Sequence, residues 1–244
     1  MGGINMENRF GNLLSIMLIV AIVVVVAILS FFGYKVYTSN KTKKEAEDVV
    51  AQFDKNTDNS NNDEDSSNNG SSETGENNSS LQDILDNLGN DNASSIYQQQ
   101  GNKDTYYEGY KVIGTISIPS IDIEYPILEE NTSATLKIAI VAVYPQDPAN
   151  AVNKPGNLVL WGHNYKNGTF FSDIGKLTTG AKVYIKDVSG TKLEYQVYNV
   201  YETTDSDMTY AARNTDGARE ITLSTCDANE AGKRTIVWAR ETKK

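Results

Sequence analysis

Hydrophobic positions fall along this chain in three textures. Residues 13–32, LLSIMLIVAIVVVVAILSFF, form an unbroken, uncharged run. A helix of that length extends roughly 30 Å, the thickness of a bilayer's hydrocarbon core, so the run predicts a transmembrane helix, taken over 13–34 after a short cytoplasmic stretch at 1–12. A cleaved signal peptide is the alternative. Its apolar core is shorter, about 7–15 residues, and Phe31-Phe32-Gly33-Tyr34 offers no small-x-small cleavage site. From Asn56 to Ser80 the sequence contains no aliphatic or aromatic residue. Such a stretch buries too little apolar surface to offset its ordering entropy, and a disordered tether is predicted over 35–105. Inside it, Leu81, Ile84, Leu85 and Leu88 recur at helical spacing, with Ser80 and Asp83 at the start and Gly89 at the end, which predicts a two-turn helix over 81–88.

The third texture begins near residue 106. YKVIGTISIPSIDIEYPIL alternates apolar and polar residues around Pro119 and predicts two short strands with a corner. GNLVLWGH reads as a buried strand introduced by Pro155-Gly156, and AKVYIKDVSGTKLEYQVYNVYET as a hairpin turning at 187–190. EITLSTC and RTIVWARE close the series, and only GTFFSDIGKL resembles a helical turn. Strands at this spacing, without a strand–helix–strand rhythm, predict an all-β barrel or sandwich of roughly 140 residues, enough for one core.

Charge sharpens this division. The net charge is +4 over residues 1–44, −12 over 45–105 and −2 over 106–244, giving −10 for the chain. The acidity belongs to the tether, so the β-domain has no basic face for a nucleic-acid backbone.

Chemistry enters through rare residues. The chain has one cysteine, Cys226, and one histidine, His163. A single thiol excludes an intramolecular disulfide, and in an exported protein it reads as a dimer bridge or a reactive group. Cys226 ends the ITLST strand, His163 follows the LVLW strand, and Arg234 opens the TIVW strand. Thiol, imidazole and guanidinium are the groups an acyl transfer needs, as nucleophile, proton carrier and oxyanion stabiliser. Residue types alone leave the bland readings open: a small core cysteine, a turn histidine and a surface arginine.

The residues around these three have a family likeness. TLSTC at 222–226 resembles the TLxTC signature of the sortases, the cysteine transpeptidases of Gram-positive cell surfaces, and RTIVWA at 234–239 is similar to the arginine-led strand that follows it. GNLVLWGHN resembles the family's glycine–histidine strand, IGTISIPSIDIEYPIL its opening strand pair, and NGTFFSDIGKLTTGAKVYI the segment that follows the histidine. These blocks occur in family order over about residues 110–240. The resemblance implies a closed, mixed eight-stranded β-barrel over 106–244. It makes Cys226 the nucleophile, His163 the general acid/base and Arg234 the oxyanion or substrate-carbonyl stabiliser, with Thr225 in the position that lines the substrate groove in relatives. It also implies cleavage of an LPXTG-like sorting signal on secreted proteins. The resulting thioester would pass to an amine from a peptidoglycan precursor or a pilin. GHNYKNGTFF is similar to class B, but the short connection from 200 to 226 leaves no room for that class's helical insertion and suits class A, D or E. No metal or cofactor is assigned, and Asp147, Asp205 and Asp207 read as solvated acids.

Orientation is contested by the sequence itself. Counting the lysines at 35–44 places the C-terminal side in the cytoplasm, whereas the resemblance implies a catalytic domain on the extracellular side, which is the placement adopted. Two other functions fit parts of the pattern. One is a surface cysteine peptidase using water as acceptor, and the other is a non-catalytic anchored β-domain that binds a partner.

Overall fold

A computed structural model describes residues 6–60, 104–144, 147–227 and 229–242. Nine strands follow one long helix, α1 (Met6–Ser60). They are β1 (Thr105–Tyr107), β2 (Tyr110–Ile118), β3 (Ile123–Leu128), β4 (Ile140–Val143), β5 (Gly156–Trp161), β6 (Lys182–Asp187), β7 (Lys192–Thr204), β8 (Arg219–Cys226) and β9 (Lys233–Glu241). Short 3-10 turns fill several connections, including Pro119–Ile121 and Ile174–Lys176. Pro119 makes the expected corner between β2 and β3, where it opens the turn and Asp122 closes it in left-handed backbone.

Hydrogen-bonded neighbours run β2-β3-β4-β5-β8-β9-β7-β6, and β6 pairs back onto β2, so eight strands close a barrel. β3–β4 and β5–β8 are parallel and the other pairs antiparallel. β1 and β6 occupy successive stretches of one edge of β2, with Thr105 opposite Val112 and Asp187 opposite Gly114. The interior is filled by residues of one parity from each strand, among them Ile116, Tyr125, Ile127, Leu160, Ile185, Leu223 and Val237. On the outer wall of β5, β8 and β9 a second cluster forms, where Tyr210 and Met208 of the β7–β8 connection cover Val143, Val159, Ile236 and Trp238. β8 is therefore buried on both faces over Glu220–Thr225 and exposed only at Cys226.

The region predicted as tether differs from expectation over residues 35–60, which continue α1 without a break. Ser39, Ala46, Val50, Phe53 and Thr57 are buried, and this spacing lays one helical stripe along the barrel. Ala46 joins the core that holds Tyr125 and Phe170, and Phe53 packs with Tyr107, Val112, Leu128 and Val141. Burying side chains such as Val50 and Phe53 contributes about 1.5–3 kcal/mol each. Polar contacts fix the register: Ser39 Oγ donates to the Asn167 carbonyl (3.1 Å), Lys43 Nζ meets the Asp122 carboxylate (2.6 Å), and Asn56 donates to the Thr105 hydroxyl (2.9 Å). Lys186 Nζ reaches both Asp54 (3.0 Å) and Asp58 (2.8 Å). A narrow stripe thus orders a segment whose composition argues for disorder. The N-terminal part of α1 is long and apolar enough to cross a membrane, and the side chains of that stretch are exposed. Residues 61–103 of the expected tether, including the helix of 81–88, lie outside the described residues.

Strand direction sets one rim of the barrel apart. β3 starts at this rim, since Asp122 faces the Ser39–Lys43 end of α1. β4 runs parallel to β3, β5 antiparallel to β4, β8 parallel to β5 and β9 antiparallel to β8. The ends of β5 and β8 and the start of β9 therefore share the rim where the docked part of α1 begins.

Candidate active site

The three candidates converge at that rim. Cys226 and Arg234 are direct cross-strand partners in the β8–β9 ladder, and such partners project to the same face, here the outer one. In the β5–β8 ladder Trp161 lies opposite Ser224, so continuing the register sets Gly162 beside Thr225 and His163 beside Cys226. Three hydrogen bonds hold that continuation. Gly162 N–H donates to the Ser224 carbonyl (3.3 Å), Thr225 Oγ1 to the Gly162 carbonyl (2.7 Å), and Asn164 Nδ2 to the Cys226 carbonyl (3.0 Å). Adjacent strands lie roughly 5 Å apart, so thiol and imidazole are carried by neighbouring backbones.

Local sequence explains the sharp exit of β5. A Cβ on Gly162 would lie 2.6 Å from Ile140 Cδ1 and 2.8 Å from the Phe171 ring, so only glycine fits between them. The chain then folds back, and Phe171 N–H donates to the His163 carbonyl (3.1 Å). Asn167 Oδ1 accepts from the Thr169 amide and hydroxyl, and Ser172 Oγ bridges the Thr169 carbonyl and the Tyr165 amide. Phe170 adopts left-handed backbone (φ 49°), which costs a bulky residue about 1–3 kcal/mol. Its ring, 1% exposed and stacked 4.9 Å from Tyr125, holds it there.

His163 is half-buried, with the Tyr165 ring 4.9 Å away between centroids. Burial, reinforced by the positive charge of Lys137, lowers its pKa below the ordinary histidine value, which favours neutral imidazole at neutral pH. Cys226 is free and exposed. The Arg234 guanidinium lies over the face of Trp161, 4.9 Å from the ring centroid, and its Nε is buried without a partner among the described residues. After Cys226 the chain turns at once: Asp227 Oδ1 accepts the amides of Asn229 and Glu230, and Asp227 N–H donates to the Lys233 carbonyl.

Thr225, the fourth candidate, is 2% exposed. Its hydroxyl is committed to Gly162, and alternation turns it away from the face that carries Cys226 and Arg234. The β7–β8 connection, which packs on the outer wall of the barrel, is fastened by a buried ionic cluster. Glu220, 2% exposed, accepts from Arg213 (2.6 Å), Tyr198 (2.7 Å) and Arg240 (2.7 Å). Arg213 also donates to Asn157 and Thr222 and lies 4.2 Å over the Trp238 ring. Asp207 is taken up by the hydroxyls of Thr203 and Thr209, whose hydrogen bonds lower its pKa. The connection holds no helix, in keeping with the short spacing read from the sequence.

Trp161, Asn164, Tyr165 and Arg213 were not singled out from the sequence. Trp161 and Asn164 flank the Gly162-His163 pair, and that adjacency is the one signal that marks them. Arg213 has none, because its role depends on a loop folding back over β8.

A small mixed barrel thus carries a thiol, an imidazole and a guanidinium at one rim. The sortase family model, described as the sortase domain, matches residues 116–242, and the chain belongs to that family. It is 38% identical over 129 residues to Sortase A of Bacillus anthracis, covering 52% of this chain and 58% of that relative. It is 31% identical over 134 residues to Sortase A of Listeria monocytogenes serovar 1/2a, covering 53% and 56%. The chain thus spans a little over half the length of the curated relatives it matches. Among solved structures, Sortase A from Corynebacterium diphtheriae is similar at 26% identity with a TM-score of 0.49, covering 55% of this chain and 62% of that one.

Proposed function

We propose that this protein is a membrane-anchored cysteine transpeptidase that cleaves an LPXTG-like sorting signal and transfers the secreted protein to an amine. The observation that supports it most is the pairing of Cys226 with Arg234 across β8–β9 while β5 delivers His163 beside Cys226. Neutral His163 takes the proton of the Cys226 thiol, the resulting thiolate attacks the scissile carbonyl carbon, and the carbonyl oxygen becomes an oxyanion beside the Arg234 guanidinium. Collapse breaks the C–N bond, the departing amine takes a proton from His163, and the acyl group remains on sulfur as a thioester. An acceptor amine then attacks, His163 takes its proton, and the thiolate leaves. Trp161 keeps the guanidinium oriented, and Thr225 and Asn164 hold the histidine backbone against the nucleophile strand.

The apolar part of α1 supports a single membrane span, and membership of the sortase family favours the barrel on the extracellular side. The lysine count that opposes this placement weakens once contacts are considered, because Lys43 is paired with Asp122 and Lys41 with Glu45. The acceptor is a peptidoglycan precursor or pilin amine.

The test is mass spectrometry of the protein incubated with a sorting peptide. A thioester adduct on Cys226, released by hydroxylamine and absent in Cys226→Ala, is expected, and product should form faster with added amine. A Cys226→Ala variant that still cleaves would refute the nucleophile, and turnover indifferent to amine would make the protein a hydrolase.

A further inference from the structure

α1 does more than tether. It runs from the apolar segment into the barrel contact as one helix, Met6–Ser60. Counted along its axis at 1.5 Å per residue, Ser39 lies about 8 Å beyond Tyr34, the end of the span, and Lys43 about 14 Å beyond it. Those two residues grip the Asn167 carbonyl, in the loop that follows His163, and Asp122. Phe53, buried against Leu128 and Val141 further along the barrel wall, lies about 29 Å beyond Tyr34. The headgroup layer is roughly 5–8 Å thick on each side of the hydrocarbon. The docked helix therefore turns the rim bearing Cys226, His163 and Arg234 towards the membrane, and the β6–β7 turn, near the Lys186 contacts with Asp54 and Asp58, away from it.

Charge fits the same orientation. Lys35 and Lys44 on α1, Lys137 before β4 and Lys166 after His163 are exposed and belong to the near end. Lysines held at that height are attracted to anionic phospholipid headgroups.

We propose that α1 is a rigid post that seats the active-site rim on anionic headgroups, so that the enzyme works on peptide bonds presented at the membrane surface and discriminates against the same bonds in free solution. This rests on the reading of 13–34 as a membrane span and of the rim as the catalytic one.

Two arms test it, both with the full chain in nanodiscs of phosphatidylcholine and phosphatidylglycerol. In the first, a fluorophore on Cys226, the only thiol, is compared with one on Val188→Cys in a Cys226→Ser background; Val188 is 55% exposed in the far turn. Headgroup spin-labelled lipid should quench the Cys226 probe several-fold more than the Val188→Cys probe. Equal quenching, or stronger quenching at position 188, overturns the proposal. In the second arm, Gly-Ser-Gly-Ser is inserted between Lys35 and Val36. Cleavage of a soluble sorting peptide should be unchanged, while cleavage of that peptide fused to a transmembrane helix in the same nanodisc should fall several-fold. Loss of both, or of neither, also overturns it. Failure of the parent protein to cleave either the soluble or the membrane-fused peptide would instead strike the transpeptidase reading and leave the quenching comparison to decide the geometry.

Discussion

Arg234 rests its guanidinium on the face of Trp161, 4.9 Å from the ring centroid, while its backbone pairs with Cys226 across the ladder. The aromatic face restricts the flexible arm that, in the proposed mechanism, meets the developing oxyanion. A cation–π contact of this kind contributes about 0.5–2 kcal/mol, so Trp161→Ala should lower kcat for thioester formation by roughly 2- to 30-fold. Trp161→Phe should retain most of the rate, and Arg234→Lys should not, because an ammonium cannot lie flat on the ring and still offer a planar fork. Single-turnover acylation measured by mass spectrometry separates these outcomes from effects on binding.

Thr225 illustrates how a residue adjacent to the nucleophile can act without facing substrate. Its hydroxyl satisfies the Gly162 carbonyl at 2.7 Å, directly before His163. Thr225→Val keeps the shape and leaves that buried acceptor unpaired, at a cost of about 1–3 kcal/mol. A fall in kcat with KM unchanged is expected, with recovery in Thr225→Ser. A selective rise in KM would instead return Thr225 to the groove.

His163, the sole histidine, gives an unobstructed titration. Burial and then the Lys137 charge lower its pKa, so the folded protein binds this proton less well than the unfolded chain. The associated stability is present in full above the ordinary histidine value and is lost as pH falls through the lowered one. Lys137→Gln removes the second cause only. The imidazole midpoint, followed by NMR, should move upward in that variant without reaching the unfolded value.

Much of this architecture was legible in the chain, and the exceptions have physical reasons. Strands with one polar face, such as β6 and β7, announce themselves by alternation. β4 carries no such signal, because Ile140, Val141, Ala142 and Val143 are all buried, between the barrel interior on one side and the packed outer clusters on the other. The helix over 35–60 was hidden in a different way. Only Ala46, Val49, Val50 and Phe53 carry its apolar stripe, and its acids suggest solvent; yet Asp54 and Asp58 are ligands of Lys186, a partner more than a hundred residues away in sequence. The three site residues could be nominated as rare types at strand ends. Their meeting depends on the parallel β5–β8 pairing, which spacing does not reveal.

Glu220 is the point at which the β7–β8 connection is tied to the barrel, and its titration should reach the stability curve. Burial, the largest single influence, pushes the carboxyl up, but hydrogen bonds from Tyr198, Arg213 and Arg240 outweigh it and hold the net pKa below the ordinary glutamate value. The sign follows: the stabilisation is complete above the ordinary value and disappears as pH falls through the lowered one. Glu220→Gln removes the charge and leaves Arg213 mostly buried against Trp238. Removing one partner of a buried pair costs about 3 kcal/mol, a fall in Tm of roughly 10 °C for a domain of this size. The variant's Tm should also depend less on pH in the acid range than that of the parent, a difference that a purely steric defect would not produce. Because Arg213 fastens the connection that carries Met208 and Tyr210 over the outer wall, KM for the peptide should rise more than kcat falls. Calorimetry across the acid range, with steady-state kinetics at neutral pH, measures both. An unchanged pH dependence of Tm would remove Glu220 from this role.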